Sequence, residues 1–138
     1  RKYTYIGESG SGHLAKLAIN YVAGIYCFGL GQTFPVFEKL GIAPVELYKI
    51  FDCDALNNGV FRFYGKKYAE RNHQCDFALK LCMKDFRYVK RLHDDLGVEG
   101  FILDGMMKLG NMALAMEEPG EAVDTSYVQE VMYSLLDK

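Results

Sequence analysis

Lys16 and Asn20 stand four residues apart, just beyond glycines at positions 7, 10 and 12. On a helix that spacing puts both side chains on one face, where an ammonium and an amide can reach a single small ligand. The ammonium can pass a proton to an oxygen or take one from it. The amide can donate to a carboxylate or accept from a hydroxyl without adding charge. Gly10 and Gly12 let the backbone come close to a ligand, and the opening turn of a helix offers N–H groups to an anion, so Gly10, Ser11 and Gly12 are candidates for holding a carboxylate. Polar pairs at this spacing are also frequent on helices that bind nothing, with the lysine solvated and the amide bonded to a neighbouring helix. Lys84 and Asp85 are a second candidate pair. Lys84 shares a face with Lys80, Arg87 and Arg91, as on an ordinary solvated basic face, and Asp85 suits a group that orients a lysine or a backbone amide.

The glycine run itself invites two readings that its neighbours reject. Gly7 and Gly12 have the spacing of a phosphate-binding loop, but His13 and Leu14 stand where that loop needs Lys and then Ser or Thr. Gly10-Ser-Gly12-His-Leu-Ala15 satisfies a dinucleotide fingerprint, yet the helix that follows runs to about residue 40, where a second strand and its acidic residue should already have come. A turn that merely aims a long helix is the plain alternative.

The elements that must position these groups are nearly all helical. Residues 3–6 have the pattern of a short strand ending at Gly7, and Ser9 or Ser11 could cap the helix beyond. That helix is expected from about 12 to near Gly41, kinked or interrupted at Pro35. Between Leu17 and Leu30 it is apolar on every side except at Asn20, the mark of a central helix, one that a partner subunit would share. The strongly apolar stretch falls short of the ~20 residues a membrane span needs, and no membrane is expected. Pro44 opens a second helix to about Asp52, whereas residues 60–75 give no clear pattern. Ala78, Cys82, Phe86, Val89, Leu92 and Leu96 form a helical stripe within 76–96, closed by Gly97. Two further helices are expected at about 101–117 and 125–136, the latter capped by Asp124.

At 138 residues, half of them hydrophobic, with a net charge of −2, the chain has the composition of one ordinary globular domain. Its basic residues are interleaved with acidic ones, which argues against nucleic acid as a partner. Cys27, Cys53, Cys75 and Cys82 make no C-x-x-C pair, and His13, His73 and His93 are scattered, so neither pattern suggests a metal site. Read as reduced thiols, the cysteines point to a cytoplasmic protein, although two bridges in an oxidising compartment would use the same four.

The full string Gly7-x-x-Gly10-x-Gly12-x-x-x-Lys16-x-x-x-Asn20 resembles the motif that opens the C-terminal domain of the β-hydroxyacid dehydrogenases, the family of 3-hydroxyisobutyrate dehydrogenase and tartronate semialdehyde reductase. Lys84-Asp85 is similar to that family's later lysine–aspartate pair, and Phe77, eight residues before Asp85, stands where the family often has an aromatic. The resemblance runs from Tyr5-Ile6-Gly7 to near Leu135, with departures at Ile19, where an asparagine is common, and at Gln32, where a glutamate is. It implies an all-α domain like the C-terminal domains of 6-phosphogluconate and 3-hydroxyisobutyrate dehydrogenases, with a long central helix and a short N-terminal strand remnant. Residues 1–9 would then close an upstream Rossmann domain, and residues 10–138 would form the substrate-binding and dimerisation domain.

By the same resemblance Lys16 is the catalytic acid–base, and Asn20 with Gly10, Ser11 and Gly12 binds substrate. Lys84 and Asp85 meet a cofactor, NAD or NADP, held mainly by the upstream domain. Transfer of a hydride from a small 3-hydroxy acid requires the hydroxyl proton to leave as well, and a lysine dried by Leu14, Ala15 and Leu17 beside a cationic nicotinamide would suit that task. This chain alone would be inactive, and a homodimer is expected. Two alternatives stay open: a non-catalytic helical dimerisation module of the same fold, to which the changes at Ile19 and Gln32 lend weight, and a reductase acting on an imine.

Overall fold

Gly10 adopts φ 97°, a left-handed conformation that suits glycine, and turns the chain into its first helix. The computed structural model describes residues 4–53 and 55–137. Helix α1 spans Ser11–Lys39, α2 Pro44–Asp52, α3 Gly59–Glu70, α4 Leu79–Leu96 and α5 Phe101–Leu114; a 3₁₀ turn at Thr125–Tyr127 then leads into α6, Val128–Leu136. The expected strand at 3–6 includes Tyr3, which lies outside the described residues, and residues 4–6 carry no regular structure. A strand needs a neighbour to receive its hydrogen bonds, and among the described residues none pairs with residues 4–6.

Other elements also differ from expectation. Neither Ser9 nor Ser11 caps α1; Gly10 occupies the cap position without a side-chain bond, and Ser11 is already helical. Helix α1 runs through Pro35 unbroken. The proline costs one backbone bond, to the carbonyl of Gly31, and its buried ring packs in the core. The stretch at 60–75 resolves into α3, capped by Asn58, whose side-chain oxygen accepts from the amides of Val60 and Phe61. Helix α4 starts at Leu79 rather than 76 because residues 76–78 are held in a different set of bonds, described below. Helix α5 stops at Leu114, short of 117.

Helix α1 is the axis of the domain and packs against all five other helices. Its inner side, with Cys27, Phe28, Leu30 and Phe34, is buried among Phe61 and Tyr68 of α3, Phe86 of α4 and Val128 of α6. It is long and apolar enough to cross a membrane by length and composition, but these contacts are those of a core helix. Apolar on every side does not mean buried on every side: Ile19 and Val22 are 69% and 64% exposed. Where α1 crosses α6 the backbone comes close because Gly31 has no side chain. A Cβ there would sit 2.7 Å from Val128 Cγ2 and 3.2 Å from the Tyr68 hydroxyl. Gly31→Ala is expected to destabilise the chain by about 1–2 kcal/mol, overpacking outweighing the gain in helix propensity. A fall in the urea midpoint measures it; an equal or higher midpoint would mean that α6 can shift freely.

Asp124 ties the last helix to the start of α4. Wholly buried, it accepts from the amides of Asp76 (2.9 Å), Phe77 (3.0 Å) and Ser126 (3.0 Å) and from the Ser126 hydroxyl (2.7 Å), with Lys67 Nζ at 3.5 Å. It caps the 3₁₀ turn as the sequence predicts. Beside it, Leu79 N–H donates to the Val123 carbonyl and Thr125 N–H to the Phe77 carbonyl, both at 2.9 Å, so Ala78 and Asp124 form an antiparallel bridge. This knot fixes Phe77 and Thr125 beside the cleft between α1 and α4.

Candidate functional site

The two helices that carry the candidate residues lie side by side and run in opposite directions. Tyr21 meets His93 and Phe28 meets Phe86, so the partner number on α4 falls as the α1 number rises. Between them opens a cleft of about 470 Å³, within the range of small-molecule sites. Lys16, Asn20, Lys84 and Asp85 line one end of it. Four residues separated by up to 69 positions in sequence thus converge on one space.

Asn20 Nδ2 donates to Asp85 Oδ2 at 2.7 Å, and Lys84 Nζ lies 3.6 Å from Asp85 Oδ1. The carboxylate is 6% exposed, with one oxygen directed to the amide and the other to the ammonium. It orients both neighbours, leaving little of itself to meet a ligand. Lys84 is about half exposed at the rim and shares its outer face with Lys80, Arg87 and Arg91. The face is solvated as the spacing predicts, and it borders the cleft as well. Lys16 is exposed at the mouth. Leu14 does not dry its surroundings, since Leu14 is itself 54% exposed; Ala15 and Leu17 are half-buried.

Gly10, Ser11 and Gly12 are not among the residues lining the cleft. Their place is before and within the first turn of α1, where the Ser11 and His13 amides already donate to the carbonyls of Glu8 and Gly10. His13 is exposed and also outside the lining. The other two histidines are elsewhere: His73 bridges Ser126 Oγ (2.9 Å) and Glu130 Oε1 (2.8 Å), and His93 is half-buried near Tyr21.

The deeper end of the cleft was not legible from the sequence motifs, apart from Phe77. Ala23, Gly24 and Cys27 continue the Lys16–Asn20 face of α1, while Leu81, Cys82 and Phe86 continue α4. Gly24 is required for this shape, since a Cβ there would lie 2.5 Å from the Phe86 ring. Burial, and then the charge of Asp85, pushes the Cys82 thiol up to about 12, and burial raises that of Cys27 further. Both thiols are protonated at neutral pH and behave as small apolar groups. All four cysteines are unpaired.

The all-helical fold, built around one long central helix, is shared with known proteins. The family model described as the NAD-binding domain of NADP-dependent 3-hydroxyisobutyrate dehydrogenase matches residues 10–131, and the chain belongs to that family, as an example of its C-terminal helical domain. It is 25% identical over 127 residues to an uncharacterized oxidoreductase of Synechocystis, a match covering 91% of this chain and 44% of the relative. With the chloroplastic glyoxylate/succinic semialdehyde reductase 2 of Arabidopsis thaliana it shares 26% identity over 83 residues, 60% of this chain and 23% of the relative. Two solved structures share the fold. The 3-hydroxyisobutyrate dehydrogenase of Salmonella typhimurium gives a TM-score of 0.80 at 16% identity, over 88% of this chain and 42% of that one. The 3-hydroxyisobutyrate dehydrogenase of Mycobacterium tuberculosis, in a structure with L-serine, gives 0.77 at 18% identity, over 91% and 45%. The chain spans less than half the length of these relatives.

Proposed function

We propose that this chain is the substrate-side half of an NAD(P)-dependent oxidoreductase acting on a small 3-hydroxy acid or its carbonyl form. The observation that carries the proposal is the convergence of Lys16, Asn20 and the Lys84–Asp85 pair on one cleft. In this reading residues 1–9 lead in from a dinucleotide-binding domain, residues 10–138 form the helical domain, and the protein works in the cytoplasm. A nicotinamide cofactor, when bound, supplies the hydride or takes it up. Of the residues present, the Lys84 ammonium at the rim would meet a negatively charged oxygen of such a group. They do not cradle its phosphates, a task left to the upstream domain.

This chain's part is the proton. In the reducing direction the Lys16 ammonium passes its proton to the substrate carbonyl oxygen as the carbonyl carbon gains the hydride, leaving a hydroxyl and a neutral amine. In the other direction the amine takes the hydroxyl proton back. Asn20, its amide nitrogen tied to Asp85, offers its carbonyl oxygen and remaining N–H to the substrate. The two lysines attract a carboxylate to the same end of the cleft, and the drying of Lys16 falls to whatever closes over the mouth.

A specific observation favours a second reading, that of a non-catalytic dimerisation module. On another side of α1, Ile19, Val22 and Ile25 line an apolar groove, and Ile19 and Val22 are largely exposed, as on an association surface. One experiment addresses both. Full-length protein given NADH or NADPH with a panel of small aldehyde acids, and an imine in parallel, is expected to consume the reduced cofactor with the acids. A dimer that consumes none with any of them would leave the module reading, and turnover confined to the imine would make the enzyme an imine reductase.

A further inference from the structure

We infer that the cleft takes a hydroxy acid carrying an apolar substituent, a branched aliphatic or aryl group, rather than a bare or polyhydroxylated small acid. The inference rests on the dehydrogenase reading of the same site and names its substrate class.

The charged side chains of the cleft stand at one end only. Lys16 to Cys27 covers eleven residues of α1, about 16 Å at helical rise, and the side chains facing the cleft change along it from ammonium and amide to Ala23, Gly24 and a buried thiol. On α4 the same change runs from Lys84 and Asp85 back to Leu81 and Cys82. A carboxylate and hydroxyl held at the Lys16–Asn20 end therefore point any further substituent of the substrate along the apolar run.

The far end offers few hydrogen bonds in return for a polar substituent, its uncharged polar groups being the hydroxyls of Tyr64 and Thr125 and the two thiols. The Thr125 hydroxyl donates its proton to the Phe77 carbonyl at 2.8 Å, and the Cys27 thiol faces the Tyr68 hydroxyl at 3.1 Å. A substrate charge placed there would lose its water and meet no charged partner, and a hydroxyl would exchange water for few partners, which is costly. Carbon is what the surface does offer. Phe77 and Leu81 border the cleft while 37% and 49% exposed, and covering them gives an apolar group about fourfold in affinity per buried methylene.

The test uses the full-length enzyme and a series in which only the substituent at carbon 2 of 3-hydroxypropionate changes: hydrogen, methyl, isobutyl, benzyl and hydroxymethyl. Values of kcat/KM are expected to rise by about tenfold or more from hydrogen to isobutyl or benzyl, with hydroxymethyl no better than hydrogen. The matching propionates with methyl, isobutyl or benzyl at carbon 2, which lack the reacting hydroxyl, should follow the same order of affinity in calorimetry. In Leu81→Asp, the ratio of the benzyl to the hydrogen compound should collapse toward one. Flat or falling values across an active series overturn the inference while leaving the dehydrogenase reading intact. Ordered binding of the propionates with no turnover of any hydroxy acid supports the apolar subsite and overturns the dehydrogenase reading instead.

Discussion

Replacing Lys16 by Ala in the full-length protein is expected to lower kcat by about 10²–10⁴-fold, the usual contribution of a positioned acid–base group. The side chain is exposed at the mouth of the cleft and supports no packing, so the melting temperature should stay where it was. Lys16→Arg should not restore the rate, because a guanidinium keeps its protons under all working conditions. A small primary amine added to the Ala variant should restore part of it, since a diffusible base can occupy the vacated space. Retention of kcat within about threefold, with the same pH dependence, would remove Lys16 from the mechanism, a loss far below what general acid–base catalysis supplies.

Asp124→Ala is expected to cost about 3–5 kcal/mol of stability, the range for removing one member of a buried, hydrogen-bonded charge pair. The variant would leave the amides of Asp76 and Phe77 without their acceptor and Lys67 without one of its two carboxylates, the other being Asp76 at 2.6 Å. Against the 5–15 kcal/mol of an ordinary domain this is a large share. Chemical denaturation measures it, and a loss below about 1 kcal/mol would mean that water or Asp76 replaces the carboxylate.

The same residue sets a direction in pH. Burial alone would raise the Asp124 carboxyl, but the amides of Phe77, Ser126 and Asp76 and the Ser126 hydroxyl outweigh it and hold the group below its ordinary value. A depressed folded value means that the stabilisation is complete above the unfolded carboxylate range, around pH 4, and is lost as pH falls through the folded value. Glu130, lowered by its bonds to Arg71 and His73 against the opposing effect of burial, acts in the same direction. The chain should therefore lose stability on acidification, and Asp124→Ala should show a shallower loss than the parent. Parallel acid limbs in the two proteins would exclude Asp124 as a source of the dependence.

Much of the helical order was legible because each signal is short in range. Pro44, Gly97 and Asp124 act on the turn they occupy, and the spacing of Cys82, Phe86 and Val89 reports the buried side of α4 without knowledge of what covers it. Where the chain departs from expectation, a contact from far away intervenes. Residues 76–78 look helical by themselves, but the carboxylate of Asp124, 46–48 positions on, captures the amides of Asp76 and Phe77 and postpones α4 to Leu79. Residues 60–75 mix aromatic and charged side chains because Phe61 and Tyr68 face the core while Lys66 and Glu70 pair in solvent.

The candidate site divides along the same line. By itself the sequence determined the all-helical class, the Lys16–Asn20 face and the family motif around it, since all of these are matters of residue type and spacing along one helix. Only the tertiary structure decided that Asp85 serves Asn20 rather than facing outward, that Gly10, Ser11 and Gly12 stay outside the cleft, and that its far end carries no charged side chain. Those properties depend on which helix lies against α1 and in which direction it runs, and no local pattern in a single helix encodes its neighbour.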